Sequence, residues 1–313
     1  MTDKSSNASF IYGPVPSRRL GRSLGVDLVP LKLCTYDCVY CQLGKSSSKT
    51  VKRLPYRNAD TVLAQLFERL KKIDRPDRIT IAGSGEPTLN SGIGAVIAGI
   101  KKKTDIPVVV LTNGSLLSNP EVQKDLLPAD MVIPSLDAWN PEMFASINRP
   151  HRSVDFTTMT EGLVSFSTVY GGQLWLEIFI MDGINASVDD ARAFKPLVDR
   201  INPAVVYVNT AVRPPEESFV KQAPPALIDA FYRTLGRAHQ KDVVFDGTGP
   251  AEGSGNVAAD IVEMVARRPV TATDIAAGLN LPEAAVGPHI EQLVAEGRLE
   301  AVPKGDRVYF RKP

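Results

Sequence analysis

The chain has 313 residues, and its 36 Lys plus Arg nearly balance its 35 Asp plus Glu. That balance excludes a polycation and an acidic tail protein, and the 43% hydrophobic and 23% charged residues are typical of a globular protein with one large domain or two unequal ones. The first ten residues, MTDKSSNASF, lack the apolar core of a signal peptide, and no apolar run reaches the ~18 to 20 residues of a membrane helix. We therefore expect a soluble, cytoplasmic protein with no membrane partner.

Segments rich in β-branched and apolar residues alternate with amphipathic stretches, which predicts strand-helix units around a parallel sheet. Seven segments are candidate strands: residues 24–31, 78–82, 107–111, 131–135, 174–181, 205–209 and 243–246. The clearest helices are predicted at residues 60–72 and 226–238. A right-handed series of such units closes partly into a barrel, so the predicted fold is α/β, of a partial (β/α)6 type.

The composition changes after the last candidate strand. Residues 247–256, GTGPAEGSGN, contain four glycines and a proline and are predicted to link a barrel domain of residues 1–246 to a small domain of residues 257–313. This tail has the pattern of three short helices and a hairpin, at residues 257–268, 271–280, 282–297 and 299–310. Three helices and a β-wing resemble a winged helix-turn-helix module.

All three cysteines fall within eight residues, in the segment CTYDCVYC, as Cys34, Cys38 and Cys41. An odd number at this spacing is typical of a site and not of a disulfide framework. Because the segment follows the first candidate strand with no helix between, the thiols lie on one loop, where they can hold three corners of a four-iron cluster and leave the fourth iron open. The alternative is a structural zinc site, which needs a fourth ligand, and the three histidines of the chain are all distant in sequence.

The C-x3-C-x2-C spacing, with Tyr40 before the last cysteine, resembles the signature of the radical S-adenosylmethionine (SAM) enzymes. The flanking segments YGPVPSRRLGRSLG and CQLG resemble a bacterial and archaeal branch related to the wyosine-tRNA synthesising radical enzymes, and the resemblance covers about residues 10–250. It implies a radical SAM barrel, a [4Fe-4S] cluster on the three cysteines, and SAM as the second cofactor. The wyosine enzymes carry further cysteines for a second cluster, and this chain has none, which argues against the wyosine reaction itself.

Polar motifs follow the candidate strands, at the face that carries active sites in such barrels. The second strand ends in AGSGEPT, which resembles the Gly-Glu-Pro motif that holds the amino group of SAM. Its glycines allow close approach, and Glu86 or neighbouring carbonyls can accept hydrogen bonds from an ammonium group. The third strand ends in LTNG and the fourth in PSLD, where Ser135 and Asp137 resemble ribose and carboxylate contacts, although such residues are also ordinary in turns and helix caps.

Three further segments supply candidates near the same mouth. Arg213, in NTAVRPP after the sixth strand, can clamp the carboxylate of SAM or an anionic substrate. Residues 14–19, PVPSRR, can line the substrate entrance or form a proline-fixed arm over the barrel. Glu177 and Asn185 are weaker candidates, because an isolated polar residue in a strand can face solvent. The residues expected to contact SAM are Tyr40, Gly83, Ser84, Gly85, Glu86, Pro87, Thr112, Asn113, Ser135, Asp137 and Arg213.

Five basic residues and no acid lie between Gly44 and Asn58: Lys45, Lys49, Lys52, Arg53 and Arg57. Because this basic run flanks the cysteine loop, we predict that it steers a phosphate-bearing substrate or an acidic, low-potential electron donor such as flavodoxin or ferredoxin. A solvated loop is the ordinary alternative.

The tail bears on nucleic-acid binding, because a winged helix that reads DNA normally has a basic recognition helix. Residues 257–313 contain seven Lys or Arg and eight Asp or Glu, and residues 282–297 contain three Glu but no Lys or Arg. We therefore expect the tail to contact protein or deliver substrate, and not to bind a specific DNA sequence.

Two functions are compatible with these features. The first is a SAM-dependent radical enzyme that abstracts hydrogen from RNA, protein or an anionic small molecule. The alternative is an iron-sulfur redox sensor in which cluster loss reports oxygen and the winged helix regulates transcription. The polar motifs after the second, third and fourth strands and the acidic tail helix favour the enzyme.

Overall fold

The computed structural model describes residues 9–46, 48–239, 257–266, 269–279 and 281–313. The candidate strand at 243–246 and the linker at 247–256 lie outside these residues.

The described strands are β1 (Ile11–Ser17), β2 (Gly21–Val26), β3 (Leu33–Cys34), β4 (Ser48–Lys49), β5 (Arg78–Ile81), β6 (Val108–Thr112), β7 (Met131–Pro134), β8 (Gln173–Ile180), β9 (Val205–Thr210), β10 (Glu300–Lys304) and β11 (Arg307–Arg311). The described α-helices are α1 (Ala59–Leu70), α2 (Ile93–Lys103), α3 (Pro120–Leu126), α4 (Pro141–Ile147), α5 (Phe156–Val169), α6 (Val188–Ile201), α7 (Pro225–Leu235), α8 (Val257–Val265), α9 (Ala272–Leu279) and α10 (Glu283–Ala295). A short 3-10 helix spans Pro87–Leu89.

A seven-stranded sheet in the order β1-β2-β5-β6-β7-β8-β9 curls into a half-barrel. The strands from β2 to β9 in this order are parallel, and β1 pairs antiparallel with β2. Helices α1 to α7 connect and follow the parallel strands, and both faces of these strands are largely buried, which explains their continuous apolar runs. The predicted α/β class and partial barrel are confirmed.

The first parallel strand differs from its predicted bounds of 24–31. Strand β2 begins at Gly21 and ends at Val26, so the prediction is wrong at both ends. The apolar residues Leu28 and Val29, which extended the pattern, are buried in the loop that follows β2. Burial in a packed loop and burial in a strand produce the same local composition, and the sequence pattern does not distinguish them.

Strand β1 carries Pro14 and Pro16 and so contains part of residues 14–19, the segment predicted to line the substrate entrance or to form an arm over the barrel. It lies at the edge of the sheet, where one side of the strand needs no ladder partner. Proline lacks a backbone N–H and is therefore tolerated at this edge. The segment is thus an edge strand, and the turn that follows it lies at the amino end of β2.

Helix ends follow local capping. The Asn58 side chain accepts a hydrogen bond from the Thr61 backbone N–H at 3.0 Å, so α1 begins at Ala59. Helix α7 ends at Leu235, short of the predicted 238, because Gly236 adopts φ +62° and caps it. The three tail helices and the tail hairpin lie within or one residue beyond their predicted ranges.

The apolar core of the tail includes a side chain from the other end of the chain. Val15 of β1 is buried in the cluster formed by helices α8, α9 and α10. Arg69 of α1 lies 3.7 Å from Asp260 of α8, which is buried. The tail therefore packs on the edge strand β1.

The tail hairpin contacts the loop after β9. The Lys304 ammonium donates hydrogen bonds to the carbonyls of Ala211 at 2.5 Å and Arg213 at 2.7 Å, and the Tyr309 hydroxyl donates to the Val212 carbonyl at 2.7 Å. Since β1 and β9 are the two outer strands of the sheet, the tail contacts both edges of the half-barrel. Within the described ranges, no helix has the length and apolar character that spanning a membrane requires.

Candidate active site

A cleft of about 380 Å³ is lined both by residues within the strands of the seven-stranded sheet and by residues that follow the carboxyl ends of its parallel strands. The strand residues that line it are Tyr12, Val15, Ser17, Ser23, Thr80, Leu111, Glu177, Phe179, Tyr207 and Asn209. Six other segments contribute: the turn between β1 and β2, residues 40–43 of the cysteine loop, residues 82–83 after β5, Ser135 after β7, Arg213 after β9, and Met264 of α8. The tail thus contributes a side chain to the cleft.

The cysteine loop is fixed from both sides by backbone hydrogen bonds. The Glu86 N–H donates to the Leu33 carbonyl at 3.0 Å, which joins the GSGEP segment to the strand that contains Cys34. The Val39 N–H donates to the Ile147 carbonyl at 2.9 Å, at the end of α4. The three thiols are half-buried, and Cys41 lines the cleft. The predicted position of the thiols, on one loop beyond the first parallel strand, is where the structure places them.

Two amide side chains donate hydrogen bonds to the cysteine sulfurs. Asn113 Nδ2 lies 3.5 Å from Cys34 Sγ, and Asn148 Nδ2 lies 3.4 Å from Cys38 Sγ. Such amide donors suit a sulfur that carries negative charge, as a metal-bound thiolate does. The donor set therefore fits an iron-sulfur cluster on this loop.

Burial determines the protonation of the free thiols. It raises the pKa of Cys34 to about 12, with the charge of Glu86 as the next cause, and it raises the pKa values of Cys38 and Cys41. Metal binding replaces the thiol proton, so loading the loop releases protons. Across the described ranges, no three His, Cys, Asp or Glu side chains are grouped to hold a single metal ion.

Asp137, expected to contact SAM, is buried beneath the cleft with 3% of its surface exposed. Its carboxylate accepts hydrogen bonds from the Tyr40 hydroxyl, from Asn148 Nδ2 at 2.8 Å and from the Phe179 N–H at 3.0 Å. The Tyr40 ring stacks on Phe179, with centroids 4.0 Å apart. Burial raises the pKa of Asp137 to about 6, against the effect of these hydrogen bonds. Asp137 therefore positions Tyr40 and Asn148.

The Glu86 side chain is likewise occupied within the protein. Its carboxylate accepts hydrogen bonds from the Thr88 N–H at 3.1 Å and hydroxyl at 2.6 Å, from the Thr112 hydroxyl at 2.7 Å and from the Asn113 N–H at 2.7 Å. These four hydrogen bonds occupy the roughly four acceptor positions of the two carboxylate oxygens. Burial raises the pKa of Glu86, and these hydrogen bonds oppose the rise. The sequence suggested two kinds of acceptor for an ammonium group, the Glu86 carboxylate and neighbouring backbone carbonyls. Because the carboxylate is occupied, the neighbouring carbonyls are the acceptors available to an ammonium group.

Asp27 orients the GSGEP segment and was missed by sequence reasoning. It is buried, its Oδ1 accepts from the Ser84 N–H at 3.2 Å, and its carboxylate also accepts from the Ser84 hydroxyl. Gly83 lines the cleft at φ +143°, and a Cβ there would lie 2.8 Å from Asp27 Cγ. The signal in the sequence was a lone acid within the apolar run LGVDLVPL.

The other residues expected to contact SAM fall into two groups, those that line the cleft and those that lie around it. Ser135, Tyr40, Gly83 and Arg213 line the cleft with Cys41. Ser84, Gly85, Pro87, Thr112 and Asn113 lie around them and are engaged in the loop contacts above or buried nearby. Glu177, a weaker candidate, also lines the cleft, whereas Asn185 is buried and donates to the carbonyls of Asp137 and Phe179, both at 2.9 Å. The cleft also contains Tyr12, Tyr207 and Asn209, which sequence reasoning did not assign to a site.

The basic run is only partly available to solvent. Arg53 pairs with Asp125 at 2.5 Å and donates to the Thr88 carbonyl at 2.9 Å, with 13% of its side chain exposed. Lys49 donates to the carbonyls of Arg149 and Pro150 but remains exposed, as do Lys45 and Lys52. The interpretation of the run as five steering charges is wrong for Arg53, which holds the loop to α3.

Comparison with known proteins identifies the family. The family model of the Radical SAM superfamily matches residues 28–194, which include all three cysteines and the GSGEP segment. The chain belongs to the radical SAM superfamily. It is an enzyme of this superfamily, with a [4Fe-4S] cluster and SAM as its cofactors.

Two relatives match this radical SAM chain over most of its length. A UPF0026 protein of Methanocaldococcus jannaschii is 31% identical, over 97% of this chain and 96% of that protein. A protein of Brachyspira hyodysenteriae named GTPase Obg is 37% identical, over 92% of this chain but only 43% of that protein. The chain therefore spans less than half the length of the second relative.

A solved structure shows the same fold. A radical SAM methyltransferase from Sphaerobacter thermophilus superposes with a TM-score of 0.56, at 17% identity, over 70% of this chain and 65% of that chain. The superposition supports the half-barrel.

Proposed function

We propose that Cys34, Cys38 and Cys41 hold the [4Fe-4S] cluster and that SAM binds in the adjoining cleft. When bound, the cluster supplies an electron that cleaves SAM to methionine and a 5′-deoxyadenosyl radical, which takes a hydrogen atom from an unreactive carbon of the substrate. The observation that carries the proposal is the hydrogen bond between Glu86 and Leu33, because it fixes the GSGEP segment beside the strand that bears Cys34.

The surrounding side chains orient SAM and do not react with it. The Glu86 carboxylate is occupied, and the Ser84 carbonyl accepts from the Lys32 N–H at 2.6 Å. The carbonyls of Gly83 and Gly85 are therefore proposed to accept the SAM ammonium. Tyr40 and Ser135 line the cleft and are proposed as further contacts. The stacked pair of Tyr40 and Phe179 excludes water from this side of the cleft.

The proposal also covers the substrate, the electron donor and the role of the tail. The substrate is RNA, protein or an anionic small molecule. A low-potential donor such as flavodoxin or ferredoxin supplies the electron. We also propose that residues 1–246 and 257–313 are separate domains and that the tail has the winged-helix arrangement and contributes to substrate binding, since Met264 lines the cleft.

The deciding experiment measures 5′-deoxyadenosine after anaerobic reconstitution, reduction and addition of SAM. We expect release of 5′-deoxyadenosine and methionine in equal amounts, slowly without substrate. An iron-sulfur sensor, which the comparisons do not support, would bind the cluster but release neither product. Protein that keeps four irons per chain yet forms no 5′-deoxyadenosine under strong reduction contradicts the proposal.

Asn148 is expected to tune the cluster. Its amide donates to Cys38 Sγ at 3.4 Å, and amide donors to cluster sulfurs stabilise the reduced, more negative state. Replacing Asn148 by Ala should therefore lower the reduction potential, measured by redox titration followed by electron paramagnetic resonance. Asn119→Ala is the control, because Asn119 caps α3 away from the cysteine loop. An unchanged potential in Asn148→Ala would assign Asn148 a purely structural role.

A further inference from the structure

Residues 211–217, which we call the β9 loop, link the tail to the cysteine loop. The β9 loop directly follows β9, and Arg213 within it lines the cleft. Its first three residues accept hydrogen bonds from the tail, and its last two donate hydrogen bonds to the cysteine loop. Direct contacts therefore run from the tail to the segment that carries the thiols.

At the tail end, three successive carbonyls of the β9 loop accept hydrogen bonds from the tail hairpin. The Lys304 ammonium donates to the Ala211 and Arg213 carbonyls. The hydroxyl of Tyr309, which is buried, donates to the carbonyl of the residue between them. Helix α9 adds an ion pair, since Asp274 Oδ2 lies 3.7 Å from Arg213 Nη2. The tail therefore sets the backbone conformation of this half of the β9 loop.

At the other end, the β9 loop holds the cysteine loop beside its third thiol. The Glu216 N–H donates to the Cys41 carbonyl at 3.0 Å. The next N–H, that of Glu217, donates to the Val39 carbonyl at 3.3 Å, and the Glu217 carboxylate pairs with Arg149 at 2.6 Å. These contacts fix the backbone on both sides of the residue before Cys41 and of Cys41 itself.

The middle of the β9 loop is stiff. Pro214 and Pro215 lie between the two sets of contacts, and each proline ring fixes its own φ. Ala211 at the start of the loop and Val220 just beyond its end are buried in one apolar cluster with Val39 of the cysteine loop. A shift of the tail end is therefore transmitted to the cysteine loop and is not absorbed within the β9 loop.

We propose that Lys304 and Tyr309 are positioning residues for the cluster, acting through the β9 loop to fix Cys41 and to limit its exposure to water. The inference rests on the proposed function in that it takes Cys41 as a cluster ligand. Hydrogen bonding and solvent exposure around the ligands set the reduction potential of such a cluster. Because Met264 of the same tail lines the cleft, a substrate that shifts the tail would also change the environment of the cluster.

The first test measures how fast iodoacetamide alkylates Cys41 in the whole chain before iron is loaded, with each cysteine resolved by peptide mass spectrometry. Tyr309→Phe and Lys304→Met each remove a donor to the β9 loop. Cys41 should then react about fivefold faster, the change in a local opening equilibrium expected for one lost hydrogen bond. Cys34 is the internal reference and should keep its rate, because its carbonyl is held by the Thr50 N–H. Lys304→Arg retains a cationic donor and should restore the wild-type rate.

Two control variants match these changes at other places. Tyr170→Phe also removes a buried hydroxyl that donates to a backbone carbonyl, that of Ala129 at 2.8 Å, but it does so at the end of α5. Lys312→Met repeats the lysine change at an exposed residue just beyond β11. Both should leave Cys41 alkylation within about twofold of wild type. A rise in Tyr170→Phe equal to that in Tyr309→Phe would assign the effect to general loss of stability and overturn the proposal.

The second test measures the reduction potential of the reconstituted cluster by redox titration. The reduced cluster carries more negative charge, and water stabilises that charge, so a more exposed cluster has a higher potential. We expect Tyr309→Phe and Lys304→Met to raise the potential and Tyr170→Phe to leave it unchanged. A wild-type alkylation rate or a wild-type potential in both tail variants would overturn the proposal, and Lys304→Met carries the test if Tyr309→Phe does not fold. Wild-type protein that binds no iron yet shows the expected alkylation pattern would instead reject the proposed function.

Discussion

Alanine at Cys34, Cys38 or Cys41 is expected to abolish both iron retention and SAM cleavage. Each proposed cysteine ligand holds one corner of the cluster, and the loop offers no replacement, since the chain contains only three cysteines. Iron and sulfide per chain, measured after anaerobic reconstitution, should fall from about four of each to well below half in every single variant. The release of 5′-deoxyadenosine should fall below detection.

The control for this series is Lys45→Ala, an exposed change on the same loop. It should retain the cluster, which shows that the loss in the cysteine variants comes from the thiol and not from any disturbance of the loop. Near-wild-type iron in a single cysteine variant would contradict the proposed ligand set. Zinc in place of iron in anaerobically purified protein would contradict it as well.

The strands and the cysteine loop could be predicted because their signals are local. A parallel strand that is covered on both faces needs apolar side chains along its length, so it is visible in the sequence as a continuous apolar run. Three thiols within eight residues lie on one short segment, which the sequence shows directly. The orientations of the Glu86 and Asp137 carboxylates could not be predicted in this way. Their motifs placed them at the strand ends, but the direction of each carboxylate depends on donors from other elements, such as Thr112 for Glu86 and Tyr40 for Asp137.

Contacts between segments that are distant in sequence account for the other differences between the sequence-based predictions and the structure. Arg53 belongs to an apparently solvated basic run, yet its partner Asp125 lies 72 residues along the chain. Val15 lies between two prolines in β1, and this local sequence does not show that the tail covers it. A local sequence pattern indicates that a side chain is buried, but the residues that bury it are known only from the folded structure.

The close approach of the GSGEP segment to the cysteine strand leads to a prediction at Gly85. A Cβ built at this residue would lie 1.9 Å from the Leu33 carbonyl oxygen, a backbone atom that cannot rotate away. Gly85→Ala must therefore push the two segments apart and break the 3.0 Å hydrogen bond from Glu86 to Leu33. We expect a loss of roughly 1 to 3 kcal/mol of unfolding free energy, as for other overpacked sites. Because the displaced loop borders the proposed sites of both cofactors, SAM affinity and cluster retention should fall together.

Gly171→Ala is the matched control for Gly85→Ala. A Cβ at Gly171 meets nothing within 4 Å, so the same glycine-to-alanine change should alter stability by less than about 0.5 kcal/mol and leave cofactor binding intact. Chemical denaturation gives the stability of each variant, and equilibrium dialysis with SAM together with iron analysis gives cofactor binding. Should Gly85→Ala bind SAM and iron as wild type does, contact between the two segments would not be what assembles the site. A loss confined to Gly85→Ala would show that the shape of one loop brings the proposed cluster ligands and the proposed SAM site together.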